Sequence, residues 1–242
     1  MKTLRLLAFA SFLASSALAQ TSGFYVNAGG GMAMLKTGGF TQTTSYGEII
    51  KNKDAKDSVA GARIEIGYQF DENWDLGVQF TDYATAEIQM EYPKYPGIFS
   101  IVPMPAYSRH VLLYDTIRFA LVPSYTFAAG DRMRLRASAG VVGSRTRSHF
   151  EATYYIQYSG RPNETLSERY PEEKNTSLSY VASVSAEWIF TKHLSLALNG
   201  GYSPYKMDLP ASRIAPFGPT QPSTGSLKVE AFEAFVTFIY RK

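Results

Sequence analysis

The sequence predicts an all-β chain: a closed, antiparallel, up-and-down barrel of eight strands. Three observations predict it. Alternation of apolar and polar residues with period two recurs in eight segments. The connections between those segments alternate long and short, and aromatic residues gather where the apolar faces meet the short turns. Residues 62–80, ARIEIGYQFDENWDLGVQF, show the alternation, one short turn and the aromatics gathered beside it. Ala62, Ile64, Ile66, Tyr68 and Phe70 share one face against Arg63, Glu65, Gly67 and Gln69. After the turn Asp71-Glu72-Asn73, Trp74, Leu76, Val78 and Phe80 oppose Asp75, Gly77, Gln79 and Thr81, which makes a hairpin with one apolar and one polar side.

The remaining elements follow in order. Residues 1–19 read as a signal peptide, with Lys2 and Arg5 ahead of the apolar run LLAFASFL and a small-residue cleavage site at Ala17-Leu18-Ala19, which leaves 20–242 as a barrel domain. A first strand starts at Phe24 and alternates to Met34, its Gly29-Gly30-Gly31 run read as small residues in a curved strand because no Lys-Ser/Thr and helix follow. Residues 36–58 read as a long loop. The hairpin supplies strands two and three, and the proline-bearing stretch after Asp82 reads as a second long loop. Strand four is placed at about His110 to Thr126, with a bulge or an end expected near Pro123. Strand five carries Leu135, Ala137, Ala139 and Val141, and a tyrosine-rich third loop follows from about Ser144 to Thr176. Strand six carries Tyr180 through Trp188 and Phe190, strand seven Leu194 through Tyr202, and a fourth loop covers about Ser203 to Ser226. The last strand sets Phe232, Ala234, Val236, Phe238 and Tyr240 on one face.

Charge and composition narrow the setting. The 24 Lys+Arg fall to 22 without Lys2 and Arg5, against 21 Asp+Glu, so the mature chain is nearly neutral and nucleic acid is not an expected partner. Cysteine is absent, which removes disulfides and thiolate metal sites. No apolar stretch is long enough for a membrane-spanning helix. An exported chain of this kind is soluble in the periplasm, secreted as a lipocalin-like barrel, or a barrel in the outer membrane. The aromatics at the turn ends favour the last, with three short turns periplasmic and four long loops outside.

With this strand count, the loop asymmetry, the opening GFYVNAGGG and the closing FEAFVTFIYRK, the chain resembles the small outer-membrane barrels of the OmpA-transmembrane-domain and opacity-adhesin type. The resemblance implies assembly by the barrel-assembly machinery through the C-terminal strand. Such chains end on an aromatic residue, whereas here Arg241 and Lys242 follow Tyr240.

The candidate site residues are of two kinds. Tyr68, Phe70, Trp74, Tyr125, Trp188, Phe190, Phe238 and Tyr240 are expected to form an aromatic girdle at one interface. Arg63, Glu65, Asp75, Arg118, Arg134, Arg136, Glu187 and Glu233 are expected to point inward as a matched network of four cations and four anions, because eight strands enclose a bore that side chains fill. A closed interior favours a structural or surface-adhesive role, with outer-membrane lipid and lipopolysaccharide as surroundings and a host or surface ligand at the loops. The loop tyrosines Tyr154, Tyr155, Tyr158 and Tyr170, with Phe99, Ile101 and Met104, are the candidate adhesive patch, or else pack on one another as a cap. The alternative is a narrow channel or a conduit for small or apolar solutes. Catalysis is not expected: His193-Leu194-Ser195 looks like the His-x-Ser pair of lipid A deacylase barrels but falls at a periplasmic turn with no orienting third group evident. That leaves His149 with Glu151, or Ser108-Arg109-His110, as the arrangements the fold could bring together for a lipid substrate. No metal or cofactor motif stands out.

Overall fold

In a computed structural model, residues 23–38, 41–43, 49–51, 55–71, 73–92, 105–128, 132–156, 162, 164–209 and 226–242 are described. The expected leader, and Tyr158, Phe99, Ile101 and Met104, lie outside them. The strands are β1 (Phe24–Thr37), β2 (Thr41–Thr43), β3 (Ile49–Lys51), β4 (Ala55–Gln69), β5 (Trp74–Tyr83), β6 (Ala86–Tyr92), β7 (Pro105–Ala128), β8 (Met133–Ile156), β9 (Glu164–Arg169), β10 (Glu173–Ile189), β11 (Leu194–Asp208) and β12 (Ser226–Arg241). Eight of them close a ring, β1-β4-β5-β7-β8-β10-β11-β12 and back to β1, with every neighbour antiparallel. Closure leaves no strand edge in the ring, the condition for placing a sheet in hydrocarbon.

The seam between the first and last strands is tight. A Cβ on Gly29 would lie 2.0 Å from the Val236 carbonyl oxygen, and one on Gly31 2.1 Å from that of Ala234. Only glycine fits against a neighbouring backbone at that distance, so Gly29 and Gly31 serve barrel closure. Pro123 neither bulges nor ends β7. It pairs with Leu76 on one side, while toward β8 the ladder lapses at Val122 and Pro123 and resumes in the same register, Leu121 opposite Val141 and Ser124 opposite Ser138. A missing N–H removes a hydrogen bond without inserting a residue.

Around the short-turn half, apolar side chains face outward on all eight ring strands. Val184 is 65% and Leu198 61% exposed, with Met32, Val78, Phe119, Val141 and Phe238 also exposed. The band runs from Phe127 to Ile117 on β7 and from Tyr240 to Phe232 on β12, close to the 9–11 tilted residues that cross a bilayer. This is a transmembrane β-barrel.

Beyond the band the strands continue, and here the structure corrects the sequence reading. β7 and β8 have 24 residues each, roughly 80 Å of strand at 3.3 Å per residue, so about half of each projects past the membrane. The expected second loop contains β6, which extends the path of β5 along β7. The expected third loop is the upper half of β8, all of β9 and the start of β10, and β11 runs to Asp208 into the expected fourth loop. The first loop holds the small hairpin β2-β3.

The physical reason is a change of phase. In the membrane band of β8, Met133, Leu135 and Val141 point out, but beyond it Phe150, Ala152, Tyr154 and Ile156 point in and Arg145, Arg147 and Glu151 point out. β12 switches between Ala231, turned in, and Phe232, turned out. Hydrocarbon demands apolar outside; water demands apolar inside. The projecting half therefore has its own buried core, which includes Leu35, Val59, Ile88, Leu112, Phe150 and Val229. Tyr154 and Tyr170, expected in a surface patch or cap, are buried there with their hydroxyls 2.6 Å apart.

His110 sits fully buried in this core, its ring edge-on to Phe150 and Tyr154. Burial pushes its pKa down to about 4. Because the unfolded imidazole titrates near 6.5, the unfolded segment binds more protons between those values. The projecting half is accordingly at full stability above pH 6.5 and loses it progressively as pH falls toward 4. Amide exchange of residues 110–114 and 150–156 is expected to accelerate several-fold over that interval while the membrane band stays protected. His110→Phe is expected to flatten the response.

Candidate functional site

The inward faces of the membrane band carry the side chains that could conduct, bind or block, and they meet in three tiers. At the short-turn end, β10, β11 and β12 bring together Glu187, Ser195 and Arg241. The Arg241 guanidinium pairs with both Glu187 oxygens, at 2.7 Å through Nη2, and donates to Ser195 Oγ at 3.0 Å, while the Ser195 hydroxyl donates to Glu187.

One tier further in, Arg136 of β8 reaches across the bore to Asp75 of β5 at 2.8 Å, and to Glu65 of β4. The Tyr25 hydroxyl from β1 lies between these carboxylates, 2.6 Å from Glu65 and 2.8 Å from Asp75. Arg136 also donates to Ser124 Oγ at 2.9 Å, and the Gln79 amide donates to Glu65 at 3.2 Å. In the third tier Glu233 of β12 accepts from Arg63 of β4, Arg118 of β7 and the Tyr83 hydroxyl of β5, while Arg63 stacks 4.2 Å above the Phe235 ring. Every ring strand contributes at least one group to these tiers.

The residues named from sequence divide accordingly. Arg63, Glu65, Asp75, Arg118, Arg136, Glu187 and Glu233 are all buried and lie in the tiers. Arg134 does not join them. It is half-buried, makes no ion pair among the described residues, and lines a vestibule of about 740 Å³ at the short-turn mouth with Gln69, Asp71, Thr126, Lys192 and Arg241. Arg241, which the sequence reading does not place in the network, forms the ion pair with Glu187 although Arg134 is the residue opposite Glu187 in register. Sequence reasoning also passes over Tyr25, Tyr83 and Ser124, and considers Ser195 only in the His-x-Ser pair. The signal that finds Tyr25 and Arg241 is parity: Tyr25 alternates with Val26, and Arg241 continues the inward series Glu233, Phe235, Thr237, Ile239.

All eight girdle residues lie at the short-turn end on the outer face. Tyr68 stacks edge-on between Phe24 and Phe70, and Tyr125 between Trp74 and Phe127. His193 stacks on Tyr240 and hydrogen-bonds the Arg241 carbonyl at 2.9 Å, whereas Ser195 turns inward to Glu187, so the His-x-Ser pair does not meet. His149 lies on the outer face, 3.4 Å from Glu151. No group of three metal-ligating side chains occurs among the described residues. In the vestibule, backbone N–H groups of Trp74 and Asn73 donate to Asp71 and hold its carboxyl below the usual carboxylate range.

No family model and no curated protein matches the chain. Solved structures do. Neisserial surface protein A is 16% identical, with 91% of this chain and 98% of that one covered and a TM-score of 0.45. OprG, an outer membrane protein from Pseudomonas aeruginosa, is 11% identical, covering 92% and 97%, at 0.48. The Escherichia coli outer membrane protease OmpT is 11% identical, covering 92% and 99%, at 0.38. The fold is a closed eight-stranded barrel. Barrels this distant, one of them a protease, assign it no activity.

Removing one partner of a buried ion cluster leaves the others uncompensated, at about 3–5 kcal/mol. Glu233→Gln, which leaves Arg63 and Arg118 without a counter-charge, is expected to lower stability by about that much, read from urea unfolding in detergent micelles. The all-apolar replacement Arg63→Met, Arg118→Met, Glu233→Leu is expected to cost less than Glu233→Gln alone.

Proposed function

We propose that this chain is an integral outer-membrane protein whose bore is closed to solutes and which acts at the cell surface, in attachment, through the half that stands beyond the membrane. The observation that carries this reading is the division of each long strand into two regimes. Within the apolar band the bore is crossed by three tiers of paired charge, and past it β6, β9 and the upper halves of β7 and β8 form a packed wall with polar outer faces. A transporter would have no use for so long a stem above a blocked bore, whereas a surface protein would. The aromatic girdle at the short-turn end supports an orientation with both termini on the periplasmic side.

The expected role therefore shifts from loop tyrosines, two of which are buried, to the exposed outer faces of the projecting strands. Arg109, Glu151, Thr153, Arg169 and Glu87 are among the side chains turned outward there.

Two measurements test this. Liposomes containing the refolded protein are expected to swell in sugars no faster than protein-free liposomes; fast swelling would return the channel reading. Excising residues 86–113 together with 149–170 removes the wall near the opposed pair Tyr114 and Ser148. That variant is expected to keep heat-modifiable migration, and cells carrying it to attach to host cells or surfaces at least ten-fold less. Unchanged attachment by a folded variant would overturn the adhesive role.

A further inference from the structure

Immediately past the apolar band, like charges stand directly opposite one another three times around the barrel. Lys36 of β1 faces Lys56 of β4. Lys206 of β11 faces Lys228 of β12. Lys174 of β10 faces Arg147 of β8, and Arg145 precedes Arg147 on the same outer face. Each pair lies just beyond the last outward apolar residues of its strands, Met34 and Ala60, Tyr202 and Phe232, Leu178 and Val141. Directly opposed side chains on antiparallel strands have Cβ atoms about 4.5–5.5 Å apart, and like charges there are destabilising. Chance is a poor account of three such pairs at one level, since alternating signs would have been favourable at every one of them.

Among the described residues the acids nearby are fewer than the cations. Glu230 serves Lys228 at 3.0 Å and stands opposite Lys36, and the Lys228 ammonium holds its carboxyl below the usual range. Glu172 is 3.9 Å from Arg147, Asp115 of β7 stands directly opposite Arg147 on its other side, and Asp208 accepts from the Asn175 amide at 2.5 Å. Lys56, Arg145, Lys174 and Lys206 have no ion pair among the described residues. The belt spans β8, β10, β11, β12, β1 and β4. On the remaining strands the boundary carries acids, Asp82 on β5 and Asp115 on β7, and Asp115 marks the edge of the belt opposite Arg147.

We propose that these opposed cation pairs form a belt that binds the phosphate groups of an anionic glycolipid in the outward-facing leaflet, each phosphate bridging two cations across neighbouring strands. A phosphate carries up to two negative charges and several acceptor oxygens, so one group satisfies two ammonium or guanidinium donors and turns a repulsive pair into an attractive one. The position decides the source. A headgroup phosphate of a lipid whose acyl chains lie against Met34, Val184, Leu198 and Phe232 is held at this height by the bilayer itself, whereas a free phosphate has no reason to gather at one level. The inference rests on the membrane reading above and not on the adhesive one.

The test uses full-length mature protein, refolded in neutral detergent, and native mass spectrometry with three probes: bisphosphorylated lipid A, its dephosphorylated form, and inorganic phosphate. Wild type is expected to retain lipid A, and to retain at least ten-fold less of the dephosphorylated lipid; equal retention of the two would overturn the role of the phosphates. Inorganic phosphate at millimolar concentration is expected not to displace lipid A; displacement would point to a free-anion site and overturn the lipid assignment. A variant combining Lys36→Gln, Lys56→Gln, Arg147→Gln, Lys174→Gln, Lys206→Gln and Lys228→Gln is expected to bind lipid A at least ten-fold less, and retention equal to wild type would overturn the belt. In lipid-free detergent that variant is expected to unfold at the same or a higher urea concentration than wild type, because like-charge repulsion has been relieved. A clearly lower midpoint would overturn the claim that the pairs are repulsive until a phosphate bridges them. Heat-modifiable migration and sugar exclusion in phosphatidylcholine vesicles, read on both proteins, report separately on the membrane reading.

Discussion

A bilayer offers the backbone no hydrogen-bond partner, and the closed ring of eight strands answers to that constraint. The membrane band is viable only because β12 returns to β1 and β7 pairs with β8, so that no ladder in the ring is left open. Closing eight strands narrows the bore until side chains from opposite walls touch. That contact is what makes the inward charges a single system: Arg136 on β8 can reach Asp75 on β5, and Glu233 on β12 can reach Arg118 on β7, only because the ring is small. Glycine at positions 29 and 31 belongs to the same constraint, since β1 and β12 approach too closely there for any Cβ.

The second constraint acts along the strands. The same ladder that crosses hydrocarbon continues into water, and its two faces exchange their solvents at the boundary. A continuous strand can meet both demands only by changing which alternate residues are apolar. β12 does so between Ala231 and Phe232, and β8 does so over the polar inward stretch Ser144, Thr146 and Ser148. Aromatic residues mark the near side of this boundary, where Tyr202 lies against Tyr180 and Phe232.

The ring and its inward charges are legible in the sequence because one parity holds throughout the membrane band. Ile64 and Ile66 against Arg63 and Glu65 identify lipid and lumen faces without any tertiary information. The projecting half is illegible for the same reason. Phe150, Ala152, Tyr154 and Ile156 alternate as regularly as Leu135 to Val141, but on the opposite parity, and a template that keeps one phase reads the reversal as the end of the strand. Prolines add to the effect: Pro105 lies at the start of β7 and Pro123 within it, both in positions where the ladder tolerates a missing donor. For Arg134, parity alone points inward; depth along the strand puts it at the mouth, where water reaches it.

Depth also explains why the last ionic tier is made by Arg241. Glu187 lies near the end of β10, one short turn from Leu194, and is buried with its charge in reach of only the terminal residues of the neighbouring strands. Arg134 stands opposite Glu187 in register on β8, yet Arg241, two strands away across β11, is the residue that forms the bidentate pair. A guanidinium entering from the end of β12 fits between Glu187 and Ser195 while its own backbone stays in the seam opposite Tyr25. The two basic residues after Tyr240 thus have a structural reason for at least one of them. Arg241 ties the final strand to β10 and β11 across the mouth, and the strand that completes the ring is also the one that closes its lower end.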